Sequence, residues 1–461
     1  MLELNILGIL LSLIKMAKIL SIKKKISSFN NKIYVSGDKS LSIRCVLIAS
    51  QATGKSKFYN VLMSEDVLST LNVIKKLGIK VKVSKNYCEI HGNGINGFQF
   101  KKNLLLNAGN SGTLGRLILG LLTRSTQKIK LIGDKSLSKR DFSRVTIPLE
   151  KFGAKFFHKT KNKLPLIILG SQYTKSIKYL ENKGSAQCKS SVMLAALNSS
   201  GKTIIKAKKS RNHTELLFKY LKIPIKIKKT KKYDFINIKK PRKIKAFNYR
   251  IPGDISSSAF FIVLTTLTND SKLLIKNVNI NDTRIGVIII LKKMGAKIIL
   301  KNKRNYRGEK ISDILIKSTK NLKAINCKSE LNNTAIDEFL IIFLAAARAK
   351  GISYFKDIAE LNQKESPRLN WGSKILNKMG IKTKLTKDSI KIYGQPNLKI
   401  NKSIVIKNYL KDHRIFMMST IAALTCGGQW KIHDKDSINS SFPSFLKLIK
   451  KINNNNYEIK K

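Results

Sequence analysis

A helix-then-strand pattern recurs along the chain. In each copy, apolar residues with helical spacing run to a glycine, and alternating lysine and apolar residues follow. Glycine suits the position just after a helix, where φ is positive, and the period of two that follows predicts a half-buried strand. The clearest copies are residues 71–83, 148–157, 290–300 and 375–385.

The spacing of these copies predicts the domain organisation. Their glycines stand at positions 78, 153, 295 and 380, and weaker copies near 223 and 453 fill the gaps, so six units account for nearly everything after Met16. The period exceeds that of solenoid repeats, which favours six α+β modules in two lobes of three. We expect the chain to cross between the lobes near residues 249–253, and a ligand to bind in the cleft between them.

Composition narrows the function classes. With 43% apolar residues, the 461-residue chain can bury two sizeable cores, which excludes intrinsic disorder. A formal net charge of +63 first suggests a polyanionic partner such as nucleic acid. However, 76 of the 90 cationic residues are lysines, scattered along the chain among abundant Ile and Asn. We therefore interpret the charge as compositional and expect small anionic ligands, with no nucleic-acid partner.

Cysteine usage and the N-terminus suggest a cytoplasmic protein. The five cysteines are dispersed without a C-x-x-C pair, which indicates neither a disulfide framework nor a thiolate zinc site. The apolar stretch at residues 4–14 is about half the ~20 residues that a membrane-spanning helix needs. It has no basic segment before it, so we predict no signal, anchor or membrane association. Residues 1–15 are interpreted as a non-structural extension, with Met16 as a possible true start.

Turns in the first half, four of the five with glycine, place hydroxyl and cationic residues at predicted helix starts. Such a helix start presents donors to a phosphate or carboxylate, although each turn alone is also typical of a plain cap. The turns are residues 37–44 (GDKSLSIR), 107–116 (NAGNSGTLGR), 133–140 (GDKSLSKR), 184–191 (GSAQCKSS) and 210–215 (SRNHTE). By contrast, residues 53–56 (TGKS) and 92–97 (GNGING) lack the context of a phosphate-binding loop or dinucleotide fingerprint, and we predict that both are turns.

The second half supplies acids beside cations. Asp337 and Glu338 precede an apolar helix predicted over residues 339–347, residues 364–368 (KESPR) join an acid to two cations, and residues 412–414 (DHR) precede another apolar helix. A capping carboxylate with a surface ion pair is the alternative interpretation of each.

Arginine changes that balance, because a chain this rich in lysine keeps only 14 arginines. A guanidinium grips carboxylate or phosphate in a planar, bidentate way that an ammonium cannot. Six of the arginines lie in these motifs: Arg44, Arg116, Arg140, Arg211, Arg368 and Arg414. The enrichment predicts a site for a multiply anionic small molecule.

Taken in order, the segments resemble the EPSP synthase (3-phosphoshikimate 1-carboxyvinyltransferase) family, and its second sequence class in particular. The resemblance also rests on PGDISSSA at 252–259 and SSFPSF at 440–445, and it covers essentially everything after about residue 30. It implies a two-lobed inside-out α/β barrel with three βαβαββ repeats in each lobe. Lobe I would comprise residues 16–36 and 253–461, and lobe II residues 37–252.

The resemblance also implies a reaction. Phosphoenolpyruvate and shikimate 3-phosphate would give 5-enolpyruvylshikimate 3-phosphate and phosphate, a step of chorismate and aromatic amino acid biosynthesis, without metal or organic cofactor. We expect a cytoplasmic monomer.

Site residues follow from the resemblance, motif by motif. Asp337 would accept the 5-hydroxyl proton, Glu365 would relay the proton of the donor's methylene carbon, and Lys39 would assist both substrates. Shikimate 3-phosphate would be bound by Lys39, Ser40, Arg44, Ser185, Gln187, Ser210, Asp337 and Lys364. Phosphoenolpyruvate would be bound by Lys39, Gly112, Arg140, Gln187, Arg368 and Arg414.

The chain departs from the family pattern at several positions. Pro367 replaces an acid, Asn362 and Gln363 replace an Arg-Val pair, and Ser440 stands where the enterobacterial form has a phosphate-contacting lysine. Asp141 follows Arg140 where proline is common, and the hypothesis is that it pairs with that arginine and weakens donor binding.

Two other functions were weighed. A UDP-N-acetylglucosamine enolpyruvyl transferase shares the fold, but its cysteine-bearing loop has no counterpart around Arg140. An RNA-binding or RNA-end-processing protein would explain the charge, but it should show clustered basic and aromatic residues, whereas here the aromatic residues are sparse and the cationic residues are dispersed.

Overall fold

The structure, a computed structural model, describes residues 18–453. Within that range the strands form six small sheets, and three of them are built from the middle of the chain. The first contains, in spatial order, β14 (Asn248–Arg250), β3 (Thr53–Tyr59), β5 (Tyr87–Asn93) and β4 (Lys80–Ser84). The second contains β6 (Leu104–Asn107), β7 (Ile129–Ile132), β9 (Leu166–Leu169) and β8 (Lys155–His158). The third contains β10 (Lys178–Glu181), β11 (Lys202–Lys208), β13 (Tyr233–Lys239) and β12 (Ile225–Lys229).

The other three sheets join the two ends of the described chain. The first contains β16 (Lys297–Tyr306), β17 (Glu309–Lys317), β15 (Lys272–Asn279) and β2 (Asn30–Tyr34). The second contains β18 (Asn326–Cys327), β19 (Gly351–Phe355), β21 (Ile390–Gly394) and β20 (Thr383–Leu385). The third contains β1 (Leu20–Ile22), β23 (Gln429–Ile432) and β22 (Ser403–Ile406).

The sheets share one pairing pattern, which confirms the predicted sixfold repeat in two lobes. In each, an edge strand runs parallel to its neighbour and that neighbour pairs antiparallel with the next, as in β6, β7 and β9. The last repeat takes its antiparallel strand from the other end of the chain, because β1 pairs with β23. We call the sheets of β3–β14 lobe II and the others lobe I. The exact boundaries at 36/37 and 252/253 stay a prediction.

Helices form the inside of each lobe, and sheets form its outside. The inner helices of lobe II are α1 (Lys39–Ala49), α3 (Gly112–Leu121) and α6 (Ala186–Ala196), and those of lobe I are α8 (Ile255–Leu267), α11 (Phe339–Ala347) and α13 (His413–Cys426). Every residue of α8, α11 and α13 is buried, as expected for helices that are apolar on all sides. The remaining α-helices are α2 (Glu65–Lys76), α4 (Lys135–Ser138), α5 (Ser143–Glu150), α7 (His213–Tyr220), α9 (Gly286–Lys293), α10 (Asn332–Ala335), α12 (Arg368–Lys378) and α14 (Phe445–Ile452).

The outward-facing sheets explain where the lysines go. Along β11 the buried residues Thr203, Ile205 and Ala207 alternate with Lys202, Lys206 and Lys208, which face solvent. Side chains on a strand point alternately to its two faces, so a lysine at every second position stays hydrated while the intervening residues pack on the helices. The charge is thus spread over the outside of the barrel.

The glycine positions of the repeat were confirmed, whereas one turn prediction was wrong. Gly78, Gly153, Gly295 and Gly380 each have positive φ between a helix and a strand. The prediction for residues 53–56 was wrong: they begin strand β3, where Ser56 and Phe58 are buried against the core. The five cysteines are buried and free. Between residues 18 and 453 no helix combines the length and apolar character needed to span a membrane, and residues 1–15 lie outside the described range.

Candidate active site

The N-terminal ends of the inner helices carry many of the predicted site residues, whereas others lie beside outer helices, as Glu365 does before α12 and Arg140 between α4 and α5. Side chains of the residues just before α1, α3, α6, α8 and α13 accept hydrogen bonds from backbone N–H groups of the first turn; they are Asp38, Ser111, Ser185, Asp254 and Asp412. Such ends carry partial positive charge and suit anions. Hydrogen bonds and ion pairs join these ends across the junction between the lobes.

Asp337 lies at the centre of that junction. Its carboxylate forms an ion pair with Arg211 of lobe II and lies 3.6 Å from Lys364 Nζ and 3.5 Å from Arg368 Nη1. Arg414 donates to its backbone oxygen. Burial opposes ionisation of Asp337, but these four cations outweigh it and hold its pKa well below the usual range. Asp337 is therefore ionised.

Glu365 is the second carboxylate of the site and also meets both lobes. It pairs with Arg368 and lies 3.8 Å from Arg140 Nη2 of lobe II. Burial raises the pKa of Glu365, but Arg368 and Arg140 outweigh that effect, so its pKa lies well below the ordinary value. Without a ligand this group is ionised as well.

Arg368 connects the two carboxylates. Its Nε and Nη2 atoms bind Asp412 in a bidentate fashion, at 2.8 and 3.2 Å, while the same guanidinium pairs with Asp337 and Glu365. Ser366 Oγ also donates to Asp412, at 2.8 Å. Since Asp412 is fully buried, this contact fixes the guanidinium plane against the start of α13.

The start of α3 forms a tight cradle, in which two guanidinium groups lie close to Gly112. A Cβ placed on Gly112 would lie 2.8 Å from Arg116 Nη1 and 3.0 Å from Arg140 Nη1. Arg116 is held by Gln187, whose Oε1 accepts from Nη1 at 2.7 Å, and Gln187 in turn donates to Thr113 at 3.0 Å. A side chain at residue 112 would therefore displace one of these guanidinium groups.

The lobe II residues predicted to bind shikimate 3-phosphate, the acceptor, lie in or before α1, α6 and α7. Lys39 Nζ lies 2.9 Å from Asp66 Oδ2, and Ser40 is half-buried beside it. Arg44 is buried and donates to Thr214 Oγ1 at 2.9 Å and to the Ser40 carbonyl at 3.0 Å. Burial lowers the pKa of Arg44 to about 10, so the group stays charged at neutral pH.

Two serines of the same lobe differ in how their hydroxyls are used. Ser185 Oγ caps α6, accepting from Cys188 N at 3.3 Å. Ser210 is 7% exposed, and within residues 18–453 its Oγ has no hydrogen-bond partner. Because buried hydroxyls are nearly always satisfied, this group is suited to a ligand.

Comparisons with known proteins identify the family. A family model for EPSP synthase (3-phosphoshikimate 1-carboxyvinyltransferase) matches residues 23–449. The 3-phosphoshikimate 1-carboxyvinyltransferase of Ruthia magnifica is 41% identical over 434 residues, which cover 94% of this chain and 97% of that protein. The chain belongs to the EPSP synthase family.

Other relatives agree with this assignment. The 3-phosphoshikimate 1-carboxyvinyltransferase of Thermoanaerobacter sp. (strain X514) is 39% identical over 429 residues, 93% of this chain and 98% of the relative. An EPSP synthase structure from Acinetobacter baumannii superposes with a TM-score of 0.83 at 34% identity, covering 94% of this chain and 98% of the other. The enolpyruvyl transferase NikO of Streptomyces tendae, at 12% identity and a TM-score of 0.73, shares the fold.

Membership in the EPSP synthase family confirms the resemblance, the fold and the transferase class predicted from the ordered motifs. The protein is a transferase of the shikimate pathway, which leads to aromatic amino acids. Neither the UDP-N-acetylglucosamine enzyme nor an RNA-binding protein is favoured. Across residues 18–453, no three His, Cys, Asp or Glu side chains are grouped as metal ligands.

The departures from the EPSP synthase pattern have local structural explanations. The hypothesis that Asp141 pairs with Arg140 was wrong: its carboxylate accepts from Ser143 N at 2.8 Å and from Ser143 Oγ at 2.7 Å, at the start of α5. Pro367 precedes the first residue of α12, where its fixed φ is compatible with a helix start. Ser440 Oγ donates to Ser437 O at 2.8 Å.

The structure adds residues that the motifs did not assign. Arg211 was noticed as a motif arginine, yet its pairing with Asp337 was not predicted. Asp66 and Asp412 hold Lys39 and Arg368, respectively. These partners are distant in sequence from the groups they hold, so the motifs alone do not predict the pairs.

Proposed function

We propose that the protein transfers the enolpyruvyl group of phosphoenolpyruvate to the 5-hydroxyl of shikimate 3-phosphate, using Asp337 and Glu365 as the two proton-handling groups. One observation carries the assignment: both are ionised carboxylates that share the buried Arg368 and face cations of the opposite lobe. This arrangement supplies two separate bases in a cation-lined cleft.

Shikimate 3-phosphate is assigned mainly to lobe II. The free hydroxyl of Ser210 and the helix start at Ser185 suit its phosphate. From lobe I, Asp337 and Lys364 face the same junction and suit the ring hydroxyls. The assigned residues are Lys39, Ser40, Arg44, Ser185, Gln187, Ser210, Asp337 and Lys364.

The enolpyruvyl donor is assigned to the arginines that meet at Glu365. Arg140 and Arg368 approach this carboxylate from opposite lobes, which suits a carboxylate and a phosphate held between them. The cradle at Gly112 adjoins them, and Lys39 contributes to the electrostatics of Glu365. The assigned residues are Lys39, Gly112, Arg140, Gln187, Arg368 and Arg414.

The chemistry follows from moving two protons. Protonated Glu365 delivers its proton to C3 of phosphoenolpyruvate, which makes C2 cationic, and the 5-oxygen of the acceptor bonds to C2 while its proton passes to Asp337. Phosphate then leaves C2 and takes up the proton held by Asp337, while the C3 proton returns to Glu365, which forms the enol ether and restores both carboxyl groups. No covalent bond forms between a substrate and the protein.

This cycle requires Glu365 to gain a proton when the donor binds. In the free protein Arg368 and Arg140 hold its pKa well below the ordinary value. Anionic groups of the donor take up those guanidinium charges, so the stabilisation of the Glu365 carboxylate falls and its pKa rises. Donor binding thereby converts a resting carboxylate into a general acid.

We further propose that the protein is a monomer in the cytoplasm, with lobe I formed by residues 16–36 and 253–461 and lobe II by residues 37–252. Five buried, free cysteines fit a reducing compartment. Sedimentation of the purified chain tests the monomer, since a dimer would double the mass.

The decisive assay is phosphate release from phosphoenolpyruvate in the presence of shikimate 3-phosphate. We expect release that needs both compounds, and a product that retains the 3-phosphate. UDP-N-acetylglucosamine is the control acceptor and should give none. Purified, folded protein that releases no phosphate with shikimate 3-phosphate would refute the proposed activity.

A further inference from the structure

One buried arginine joins the two places where the chain crosses between the lobes. The crossing segments run side by side: Asp38 N donates to Pro252 O at 2.8 Å, and Asp254 N donates to Ser36 O at 3.1 Å. Arg284, whose side chain is 2% exposed, lies 3.4 Å from Asp38 Oδ2 and 3.5 Å from Asp254 Oδ1. Two buried carboxylates need a compensating cation, and this guanidinium supplies it.

Both aspartates begin inner helices. Asp38 Oδ1 accepts from Leu41 N at 2.9 Å in the first turn of α1, and Asp254 Oδ1 accepts from Ser256 N at 2.7 Å in the first turn of α8. Asp254 Oδ2 also accepts from the backbone N of Lys39, at 3.3 Å. The clamp on the two aspartates therefore sets where the first turn of α1 lies relative to α8.

A series of polar contacts leads from this clamp to the proposed proton acceptor. Arg284 Nη2 donates to Ser256 Oγ at 2.6 Å, and Ser256 Oγ donates to Glu338 Oε1. Glu338 Oε1 lies 3.8 Å from Arg414 Nη1, which donates to the Asp337 carbonyl. Glu338, Arg414 and Arg284 are all buried, so the contacts are shielded from solvent.

A second branch returns to lobe II. Arg284 Nη1 lies 3.5 Å from His213 Nε2, and a guanidinium can only donate, so the His213 proton belongs on Nδ1, which faces Glu309 Oε1 at 2.7 Å. Asn281 Nδ2 donates to Glu309 at 2.9 Å and to Asn212 Oδ1 at 2.8 Å. This branch fixes the segment that precedes α7.

We infer that Arg284 is a positioning residue, which aligns the lobe II half of the site with the lobe I half where the chain crosses between the lobes. It touches neither proposed substrate position, and its role rests on the proposed function. Acceptor binding uses mainly lobe II groups, whereas donor capture and turnover need both lobes. Loss of the alignment should therefore impair donor capture and turnover more than acceptor binding.

Two serines on α8 provide a matched test. Ser256→Ala removes the contact between Arg284 and Glu338, whereas Ser258→Ala removes a buried hydroxyl that bonds only to its own helix, at Asp254 O, 2.8 Å. We expect Ser256→Ala to lower kcat/KM for phosphoenolpyruvate about tenfold while the Kd of shikimate 3-phosphate changes less than about twofold. Ser258→Ala should leave both values unchanged.

Arg284→Lys gives a stronger version, because an ammonium keeps the charge but cannot reach both aspartates and Ser256 together. Its control is Arg348→Lys. The Arg348 guanidinium lies away from the site and donates to Pro396 O at 3.0 Å. We expect Arg284→Lys to lower kcat/KM for phosphoenolpyruvate more than Ser256→Ala does, again with little change in the Kd of shikimate 3-phosphate.

The inference is overturned if Ser256→Ala and Ser258→Ala have the same kinetic constants, or if Ser256→Ala impairs the use of phosphoenolpyruvate and the binding of shikimate 3-phosphate equally. This test does not depend on whether Arg284→Lys folds. Failure of the proposed function is a separate result, since the wild-type protein would then show no phosphate release against which to compare the variants.

Discussion

Arg140 of lobe II lies 3.8 Å from Glu365 of lobe I, across the junction of the lobes. The side chains are only 15% and 23% exposed, so solvent screens this contact less than a surface pair. The same guanidinium is proposed to bind the donor, so one contact links substrate binding to the charge state of Glu365.

Replacing either proposed base should stop the chemistry without abolishing binding. We expect Glu365→Gln and Asp337→Asn each to lower kcat about 10²- to 10⁴-fold, the range for lost general acid–base catalysis. Stopped assays of phosphate release measure kcat, and fluorescence or calorimetry measures the Kd of shikimate 3-phosphate. Near-wild-type turnover in either variant would contradict its assigned role.

Glu360→Gln is the control for the glutamate. Glu360 lies on the 3-10 helix Ala359–Gln363 and is 51% exposed, pairing across the lobes with Arg144 at 3.8 Å. An exposed ion pair contributes little, so this variant should keep turnover within about twofold of wild type.

The site should make stability depend on pH through His413. Burial, with smaller contributions from Lys39 and Arg414, lowers the pKa of His413 to about 3, and Asp412 only partly opposes this shift. The unfolded chain, with an ordinary pKa of about 6.5, binds the proton first. Stability is therefore fully present above about pH 6.5 and falls as the pH decreases toward the folded value, by up to about 1.4 kcal/mol per unit.

Urea unfolding between pH 7 and pH 5 measures this slope. His413→Gln should flatten the dependence of the free energy of unfolding on pH between pH 7 and pH 5. Asp337 and Glu365 have lowered pKa values in the folded protein, so the stability that they contribute is lost only near and below about pH 4. An unchanged slope would show that His413 does not stay neutral in the fold. His433→Gln, which replaces a histidine outside the site, is the control.

The cradle at Gly112 should be intolerant of a single methyl group. In Gly112→Ala the new Cβ would meet Arg116 and Arg140 at 2.8 and 3.0 Å, so one guanidinium must move. We expect KM for phosphoenolpyruvate to rise about tenfold, the cost of a poorly placed donor contact, with KM for shikimate 3-phosphate little changed.

Gly115→Ala on the same helix is the control. Its Cβ would meet Phe142 at 3.4 Å and Ala108 at 3.6 Å, which are ordinary contacts. Equal effects of the two alanines would point to a general disturbance of α3 rather than to the cradle.

The sequence predicts the fold because its signals are local. A glycine with positive φ after each helix and a period of two in the next strand specify the repeat, as at Gly78 and along β4. Residues 53–56 were mispredicted because glycine and serine favour turns, yet Ser56 is buried and bonds to the backbone N of Phe247. Tertiary pairing overrode a local preference there.

The site is predicted less completely, because its partners are brought together by topology. Arg284 and Asp38 are 246 positions apart, and Arg211 and Asp337 are 126 apart. No local pattern specifies such pairs. The sequence does show that arginine is scarce overall but recurs at predicted helix starts. That signal pointed to Arg140, Arg368 and Arg414, which lie at the junction.

The net charge should act through long-range attraction of the anionic substrates. Lys75, Lys80 and Lys82 are exposed around a groove of about 470 Å³ on the outside of lobe II, and none is assigned to the site. Changing all three to Gln should lower kcat/KM for phosphoenolpyruvate at low ionic strength by about twofold, and by less at 0.5 M salt, where the Debye length falls below about 5 Å. If salt anions merely compete for Arg140 and Arg368, added salt would lower kcat/KM of the wild type and of the variant in parallel. Such parallel curves would show that the outer lysines do not steer the substrate.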